Sequence, residues 1–276
     1  MIVIGRQVVH PFLDNDHEPF FETKQEILKS LTSNEEVYTY ETLDQLSFDV
    51  HLRLHLILSS IDLSSSGLSF RRFEQSFCND FFWKRTKLGG FQLKPGTLAS
   101  VAIRDIFTNG KKYGTECATA IIILLYKSLL ECFDDKTFDR LFSNLILYTW
   151  DYDKDLKIIT KTDGTMVQGD IMYFKNPQVN GATIEWQGEN AVYLGDDFYY
   201  GHGVGISTKD QIIQTLNLRR KPEAFLSAYM TNYITRVDTA DMNKYASKSK
   251  IGDDIKFTPI RESIIIATAG HTTTVH

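Results

Sequence analysis

The sequence has few cysteines and no long hydrophobic run. Its 276 residues include three cysteines, Cys78, Cys117 and Cys132, and no Cys-x-x-Cys pair. An odd count without such pairs indicates neither a disulfide framework nor a structural zinc site. The longest apolar run, residues 121–126, is far too short to span a bilayer, and the N-terminus lacks a basic region followed by a long apolar segment. We therefore expect a soluble protein, made and kept inside a cell, with at least one free thiol.

Basic residues are too few for a surface that follows nucleic-acid phosphates. The chain has 30 Lys and Arg against 35 Asp and Glu, a formal net charge of -5. Nucleic-acid binding draws on clustered Lys and Arg, so nucleic acid is not an expected partner. The 42% hydrophobic and 12% aromatic content is ordinary for a globular protein of this length, and we expect one large domain rather than two small ones.

The first half of the chain has the periodicity of helices. Apolar residues recur three and four apart over residues 23–31 and 43–61, which predicts two amphipathic helices. A short helix is expected over residues 98–107. Residues 118–130 are apolar on nearly all sides, which is typical of a buried central helix. Five phenylalanines at mostly helical spacing are expected to lie in the core: Phe70, Phe73, Phe77, Phe81 and Phe82.

Downstream the periodicity changes to that of strands. Turn pairs such as Asp163-Gly164 and Asn180-Gly181 separate these segments and suit antiparallel hairpins. Ser207 is expected to cap a further helix, and another helix is expected over residues 222–234. The order of helices, sheet and helices predicts an α+β architecture rather than alternating parallel βαβ units. The predicted strands are residues 145–150, 157–161, 171–175, 183–187, 191–194 and 198–200.

Cys117 is the thiol whose position suggests chemistry. It stands at the start of the predicted buried helix, where the positive end of the helix dipole favours the reactive thiolate. The alternative is a buried structural thiol, the more frequent state of an arbitrary intracellular cysteine, and we assign it to Cys78 and Cys132. Glu189 and His202 fall on consecutive predicted strands; taken alone, each is more often a surface or core residue without a catalytic role.

Five separate segments resemble the bacterial spore-coat protein-glutamine gamma-glutamyltransferases, a family with a papain-like core of the kind shared with bacterial cell-wall cysteine peptidases. The resemblance covers residues 1–238, which we expect to form a single domain, with residues 239–276 as a C-terminal extension. It implies a papain-like cysteine-enzyme core with a central buried helix packed on an antiparallel sheet, plus flanking helices. The segments are Ala102-Ile103-Arg104-Asp105-Ile106 with Asn109-Gly110, Glu116-Cys117-Ala118-Thr119-Ala120, Gly169-Asp170 with Tyr173-Phe174-Lys175-Asn176-Pro177, Trp186 with Gly188-Glu189-Asn190, and His202-Gly203 with Gly205-Ile206.

The resemblance also implies the roles of four residues and the reaction. Cys117 would be the nucleophile, Glu189 would stand where a papain-like enzyme has its histidine, His202 would support Glu189, and Glu116 would be a second carboxylate near the thiol. The implied product is an isopeptide cross-link between glutamine and lysine side chains, with release of ammonia. The implied partners are spore coat proteins, reached after synthesis in the mother cell. Neither a cofactor nor a metal is implied, since no calcium-loop pattern is visible.

The physical difficulty of this arrangement is that a carboxylate must accept a proton from a thiol. With reference pKa values of about 4.3 and about 8.5, the transfer costs about 5.7 kcal/mol. We expect burial and the neighbouring Glu116 to raise the pKa of Glu189, and the helix start to lower that of Cys117. The implied intermediate is a thioester between Cys117 and the glutamine side chain. Water competes with the lysine amine for this thioester, so a transferase needs an enclosed acyl pocket. Its walls are expected to include Trp150, Trp186, Tyr199 and Tyr200, for which simple core packing is the alternative.

Two rival functions remain open at this point. One is a cysteine amidase or peptidase of the same core that hydrolyses its thioester, and the other is a catalytically inactive structural coat protein. His51 and His55, spaced i and i+4, have the spacing of metal ligands on a helix, but no Glu-containing zincin motif accompanies them. We interpret them as part of a solvated helix face.

Overall fold

The computed structural model describes residues 1–14, 16–17, 19–150, 156–259, 266–269 and 272–275. Within these residues the chain forms helices α1 (Phe21–Ser33), α2 (Leu43–Ser65), α3 (Ala99–Thr108), α4 (Cys117–Cys132), α5 (Asp135–Leu141), α6 (Lys209–Asn217), α7 (Thr239–Met242) and α8 (Lys248–Ile251). Short 3₁₀ segments cover Phe73–Gln75, Gly110–Lys112, Gly181–Trp186 and Asn243–Tyr245.

The strands form two main sheets and several short ribbons. They are β1 (Ile2–Ile4), β2 (Gln7–Leu13), β3 (Tyr38–Tyr40), β4 (Ser69–Phe70), β5 (Trp83–Arg85), β6 (Phe91–Leu93), β7 (Gly114–Thr115), β8 (Ile146–Leu147), β9 (Ile158–Thr162), β10 (Ile171–Lys175), β11 (Gly188–Gly195), β12 (Phe198–Gly201), β13 (Gly205–Thr208), β14 (Tyr229–Val237), β15 (Ile255–Pro259), β16 (Ile266–Ala269) and β17 (Thr272–Val275). The larger sheet is antiparallel throughout, in the order β13-β12-β11-β10-β14-β9, and the other main sheet has the order β15-β2-β1-β3.

Helix α4 is buried along its whole length and contacts both α2 and β11. Apart from Lys127 and Glu131, all of its side chains are buried. Its apolar residues share one core cluster with Phe48 and Leu52 of α2 and with Val192 of β11. A helix that is apolar on every side is stable only when other elements cover all of its faces, and this fixes where the start of α4 lies relative to the sheet.

The predicted helices of the first half are confirmed as α1, α2, α3 and α4. The predicted strand over residues 171–175 is β10, and those over 191–194 and 198–200 lie within β11 and β12. The structure is therefore mixed α and β. The helix expected after Ser207 is α6, but its N-cap is Thr208, whose side chain and backbone form a capping box with Gln211.

The helix predicted over residues 222–234 is wrong, because residues 229–237 form strand β14 in the interior of the larger sheet. β14 pairs with β10 on one side and with β9 on the other. Its sequence is rich in Tyr, Thr, Ile and Val, which fit a pleated sheet surface. Hydrogen-bonding partners on both edges, which lie far away in the sequence, determine the strand conformation.

Two other local predictions are also wrong. Residues 183–187 are not a strand, since most of them belong to the 3₁₀ segment Gly181–Trp186, which Asn180 caps by accepting from the Ala182 N–H. The phenylalanine stripe is neither helical nor core, because Phe81 is 76% exposed and the other four rings are only partly buried. Short strands and a 3₁₀ turn replace a helix in that region.

Residues 239–259 pack back onto the rest of the chain. The Ser247 N–H and the Lys250 ammonium donate to the carbonyl oxygens of Cys132 and Leu130 at the end of α4. Strand β15 pairs with β2, and Asp254 forms a buried ion pair with Lys24 of α1. These contacts join this segment to the same body, and the domain boundary at residue 238 stays a prediction. No helix in the described part of the chain is long and apolar enough to cross a membrane.

Candidate active site

Glu116 caps the start of α4, one residue before Cys117. Its two carboxylate oxygens accept hydrogen bonds from the backbone N–H groups of Ala118 (2.7 Å) and Thr119 (2.6 Å). A carboxylate at this position satisfies N–H groups that have no partner within the helix and interacts favourably with the helix dipole. Glu116 is therefore held rigidly against the helix, and its negative charge lies close to the thiol of Cys117.

Cys117 is only 8% exposed, and the pKa of its thiol is raised well above the usual value. Burial is the largest cause, and the nearby charges of Glu189 and Glu116 add to it. The expectation that the helix start would lower this pKa is wrong. The two N–H groups that would favour a thiolate are engaged by Glu116, which replaces the positive end of the dipole with a negative charge.

Asn190 is the residue that favours the ionised sulfur. Its side-chain Nδ2 donates to Cys117 Sγ at 3.8 Å, and its backbone N–H also donates to the thiol. Both contacts lower the pKa of Cys117 and so oppose the effect of burial. The sequence analysis did not assign a role to Asn190, although the residue lies in the Gly188-Glu189-Asn190 segment that carried part of the resemblance. Its position directly after Glu189 is the signal that would have identified it.

Glu189 lies in β11 and is 1% exposed. The pKa of its carboxyl group is raised to about 8: burial is the largest cause and the charge of Glu116 adds to it, while backbone N–H groups of Gly203 and His202 act in the opposite direction. The Gly203 N–H donates to Oε1 at 3.4 Å. The predicted rise in the pKa of Glu189 is confirmed. Because the group titrates close to neutral pH, it exchanges protons far more readily with a thiol or amine than an ordinary carboxylate does.

Two glycines make room for this carboxylate. A Cβ atom on Gly201 would lie 2.8 Å from Cγ and 3.0 Å from Oε1 of Glu189. A Cβ atom on Gly203 would lie 3.1 Å from Oε2. The His202-Gly203 segment therefore has two effects at the site. It supplies an imidazole, and its glycine lets the backbone pass close to the Glu189 carboxylate.

His202 follows β12 directly and is buried. Its Nε2 lies 3.3 Å from the Ser69 carbonyl oxygen, and its Nδ1 lies 3.2 Å from the Tyr200 hydroxyl. A carbonyl accepts, so Nε2 carries the proton and Nδ1 accepts from Tyr200. Burial lowers the pKa of His202 to about 4, which keeps the ring neutral at ordinary pH. His202 therefore ties the loop after β12 to strand β4, and its backbone N–H reaches Glu189.

Cys117 opens into a cleft of about 800 Å³. Trp150 lines this cleft, as expected, and so do Gly188 and Asn190, whereas Glu189 between them is not among the lining residues. The cleft has aromatic and aliphatic walls together with several polar side chains. Its remaining lining residues are Arg72, Phe73, Glu74, Glu116, Ala118, Thr149, Ile158, Thr160, Tyr173, Ile184, Glu185, Gln187, Tyr233 and Thr235.

Three of the four predicted wall residues are not part of the described cleft lining. Tyr199 is fully buried against Phe174, with ring centroids 5.5 Å apart. Tyr200 bonds to His202, and Trp186 packs against Phe70 with ring centroids 5.1 Å apart. The aromatic walls missed by the sequence analysis are Phe73, Tyr173 and Tyr233.

No group of three or more His, Cys, Asp or Glu side chains in the described part of the chain is arranged to hold a metal ion. His51 is buried rather than solvated, and its Nδ1 lies 2.8 Å from the Ser47 carbonyl oxygen one turn earlier in α2. Burial lowers the pKa of His55 to about 4. The interpretation of both as a solvated face is therefore wrong, since α2 is covered on nearly all sides.

Comparison with known proteins gives consistent similarities. A family model described as protein-glutamine gamma-glutamyltransferase matches residues 1–246. Proteins of that name from Bacillus mycoides (strain KBAB4) and Bacillus cereus (strain G9842) are 60% and 59% identical over 276 residues, which is 100% of each chain. A solved structure of a transglutaminase from Geobacillus stearothermophilus, without its C-terminal extension, is 48% identical with a TM-score of 0.72, covering 75% of this chain and 99% of that one.

Proposed function

Since the chain belongs to the protein-glutamine gamma-glutamyltransferase family, we propose that Cys117 is the nucleophile of the transfer and that Glu189 carries the protons. One observation carries this proposal: Glu189, whose pKa is raised to about 8, and Asn190, which donates to the sulfur, are consecutive residues of β11 beside Cys117. The cleft that opens at the thiol gives a protein side chain access to it. The papain-like character of the core belongs to the same proposal.

In the first half of the reaction, ionised Glu189 takes the proton from the Cys117 thiol. The sulfur then attacks the side-chain carbonyl carbon of a glutamine, and the C–S bond forms as the carbonyl oxygen becomes negative. Glu189 returns the proton to the amide nitrogen, the C–N bond breaks and ammonia leaves. The product is a thioester between Cys117 and the former glutamine side chain.

In the second half, a lysine amine attacks the thioester carbon. Glu189 takes a proton from the attacking nitrogen, the N–C bond forms and the C–S bond breaks. The departing sulfur takes up the proton, which restores the thiol and the carboxylate. The result is an ε-(γ-glutamyl)lysine isopeptide bond, so the two halves together cross-link protein side chains.

Asn190 is the best candidate to stabilise negative charge during both steps. The N–H groups of Ala118 and Thr119, at the helix start, donate to Glu116 and are not free to hold an oxyanion. The side-chain Nδ2 of Asn190 donates to the sulfur. The carbonyl carbon that the sulfur attacks, and the oxygen on which negative charge then develops, would therefore lie close to this donor. Glu116 then acts by fixing α4 and by raising the pKa of Glu189.

We also propose that the reaction is independent of calcium, because each step above uses side chains and backbone groups of this chain. Trp150, Phe73 and Tyr173 line the cleft and limit the access of water to the thioester. Trp186, Tyr199 and Tyr200 support the site from the core. No further cofactor is required for these steps.

The proposed substrates are spore coat proteins with accessible glutamine and lysine side chains, and the proposed location is the spore coat, after synthesis in the mother cell. The resemblance of the five segments to spore-coat enzymes supports this assignment. Cross-linking would convert an assembled coat into an insoluble network.

The test is incorporation of a fluorescent primary amine into a glutamine-rich protein, comparing the unmodified chain with Cys117→Ala, with and without a calcium chelator. Incorporation that disappears in the variant and persists with chelator supports the proposal. Ammonia release without incorporation would identify an amidase, and absence of both would identify an inactive coat protein. Loss of amine incorporation by the unmodified chain when chelator is added would overturn calcium independence.

A further inference from the structure

Glu185 is a carboxylate in the cleft that the two proposed half-reactions leave unused. It lies in the 3₁₀ segment Gly181–Trp186, just before β11, and lines the same cleft as Cys117. Its Oε2 is shielded from solvent and has no hydrogen-bond partner among the described residues. The Glu116 carboxylate differs, since backbone N–H groups bond to both of its oxygens. A shielded carboxylate oxygen without a donor is energetically costly, so it calls for an explanation.

We propose that Glu185 binds the ε-ammonium group of the lysine acceptor before the amine reacts with the thioester. This inference rests on the proposed function and assigns one of its two substrates to a specific residue. Among the described lining residues, Arg72 is the one Lys or Arg, whereas Glu74, Glu116 and Glu185 are acidic. Such a cleft attracts a cation and offers no charge-based advantage to a neutral glutamine carboxamide.

The chemistry of the acceptor requires a group of this kind. A lysine side chain has a reference pKa of about 10.4 and therefore arrives protonated. An ionised carboxylate holds the ammonium through a charge-assisted hydrogen bond, while a separate base must remove the proton that blocks attack. Glu189, four residues further along the chain and with a pKa raised to about 8, takes this first proton and releases it to solvent, so it is ionised again when it takes the second proton from the attacking nitrogen. Binding and deprotonation of the amine are thus divided between two carboxylates, Glu185 in the cleft lining and Glu189, which is buried behind it beside Asn190.

The experiment measures kinetics of Glu185→Gln with two acceptors, a fluorescent cadaverine derivative with a cationic amine and hydroxylamine, which is neutral at pH 7.5. The KM for the cationic acceptor should rise at least about 10-fold, as expected for loss of a hydrogen bond to a charged group. The KM for hydroxylamine and the ammonia release without acceptor should stay within about twofold. Raising the salt concentration should weaken use of the cation by the unmodified chain and have little effect on the variant.

Three comparisons make the result decisive. Glu35→Gln removes the same charge at an exposed position outside the cleft and should leave all of these values unchanged. Glu185→Asp keeps the charge and should recover part of the preference for the cation. An equal loss with both acceptors, or the same cation-specific loss in Glu74→Gln, would overturn the assignment to Glu185. The proposed function itself fails if the unmodified chain releases no more ammonia than Cys117→Ala does. That outcome differs from a failure of the Glu185 assignment, in which ammonia release depends on Cys117 but Glu185→Gln shows no cation-specific loss.

Discussion

Asp170 and Glu189 are two buried carboxylates on neighbouring parts of one sheet, and their surroundings are opposite. Asp170, just before β10, accepts from the guanidinium groups of Arg53 and Arg236, each at 2.9 Å, and from the Val167 N–H at 2.9 Å. Glu189 in β11 faces no described guanidinium or ammonium group within ion-pair distance and has backbone N–H donors only. Both side chains are almost fully inaccessible to solvent.

The difference shows how one sheet contains both a structural carboxylate and a reactive one. Two arginines neutralise Asp170, and this network joins α2 and β14 to the residue that precedes β10. Without a cation, the cost of burial at Glu189 appears as a pKa of about 8, which makes the group a base near neutral pH. Burial is common to both positions, so the presence or absence of a cationic partner determines which role each carboxylate has.

Glu189→Gln should have the largest effect on activity. The amide has nearly the same shape but cannot carry a proton between sulfur, amide and amine, so we expect the rate of ammonia release to fall by about 10² to 10⁴-fold. Ammonia release from a glutamine-containing peptide measures this, and circular dichroism checks the fold. Retention of more than a tenth of the rate would show that Glu189 is not the principal base.

Asp170→Asn should instead reduce stability. Removing the charge takes from the buried Arg53 and Arg236 their shared partner. Arg53 keeps Asp49 at 3.1 Å and Arg236 keeps Glu36 at 3.7 Å, so the loss should be smaller than the cost of about 3 to 5 kcal/mol expected when a buried charge loses every partner. Urea unfolding followed by fluorescence measures the loss. The folded fraction should keep a reactive Cys117. A stable Asp170→Asn variant with an inactive thiol would contradict the separation of the two roles.

Asn190→Ala should slow the reaction of the thiol. Losing the Nδ2 donor removes one contact that lowers the pKa of Cys117, while the backbone N–H remains. We expect alkylation by iodoacetamide to be about 10-fold slower near neutral pH, corresponding to about 1.4 kcal/mol. The pH dependence of the rate separates a raised thiol pKa, which shifts the curve to higher pH, from mere obstruction, which lowers the rate equally at all pH values.

The remaining prediction concerns stability as a function of pH. Glu189 keeps its proton in the folded state up to about pH 8 but loses it in the unfolded state above about 4.5, so the folded state binds more protons in this interval. The free energy of unfolding therefore falls as pH rises from about 4.5 to about 8. Above about pH 8 Glu189 is ionised in both states, and its effect on the free energy of unfolding no longer changes.

Glu189→Gln does not titrate, so it should become more stable than the unmodified chain across this interval, by on the order of 5 kcal/mol at pH 8.5, since the pKa rises from 4.5 to about 8 and each pH unit corresponds to about 1.4 kcal/mol. Denaturant unfolding at pH 5 and at pH 8.5 gives the comparison. The same advantage at both pH values would show that better packing, and not the buried charge, causes it. Asp170→Asn provides the contrast, because it should be destabilised at both.

Local patterns in the sequence were sufficient for the elements whose burial is uniform or strictly periodic. The apolar stretch that became α4, the amphipathic pattern of α2 and the strand β10 were all predicted with nearly correct bounds. The prediction failed for β14, whose conformation depends on two partner strands, and for the phenylalanines around Phe81, which short irregular segments leave at the surface. In those places distant hydrogen bonds outweigh local spacing.

The sequence by itself determined the family, the buried helix and the set of residues around Cys117, because spaced motifs and apolar periodicity are properties of the chain. Only the tertiary structure decided what those residues do to one another. It gave the capping role to Glu116, the sulfur contact to Asn190 and the cleft wall to Tyr173 in place of Tyr199. The physical reason is that a pKa, a hydrogen bond or a cleft wall depends on distance and burial in space, which residue spacing along the chain does not contain.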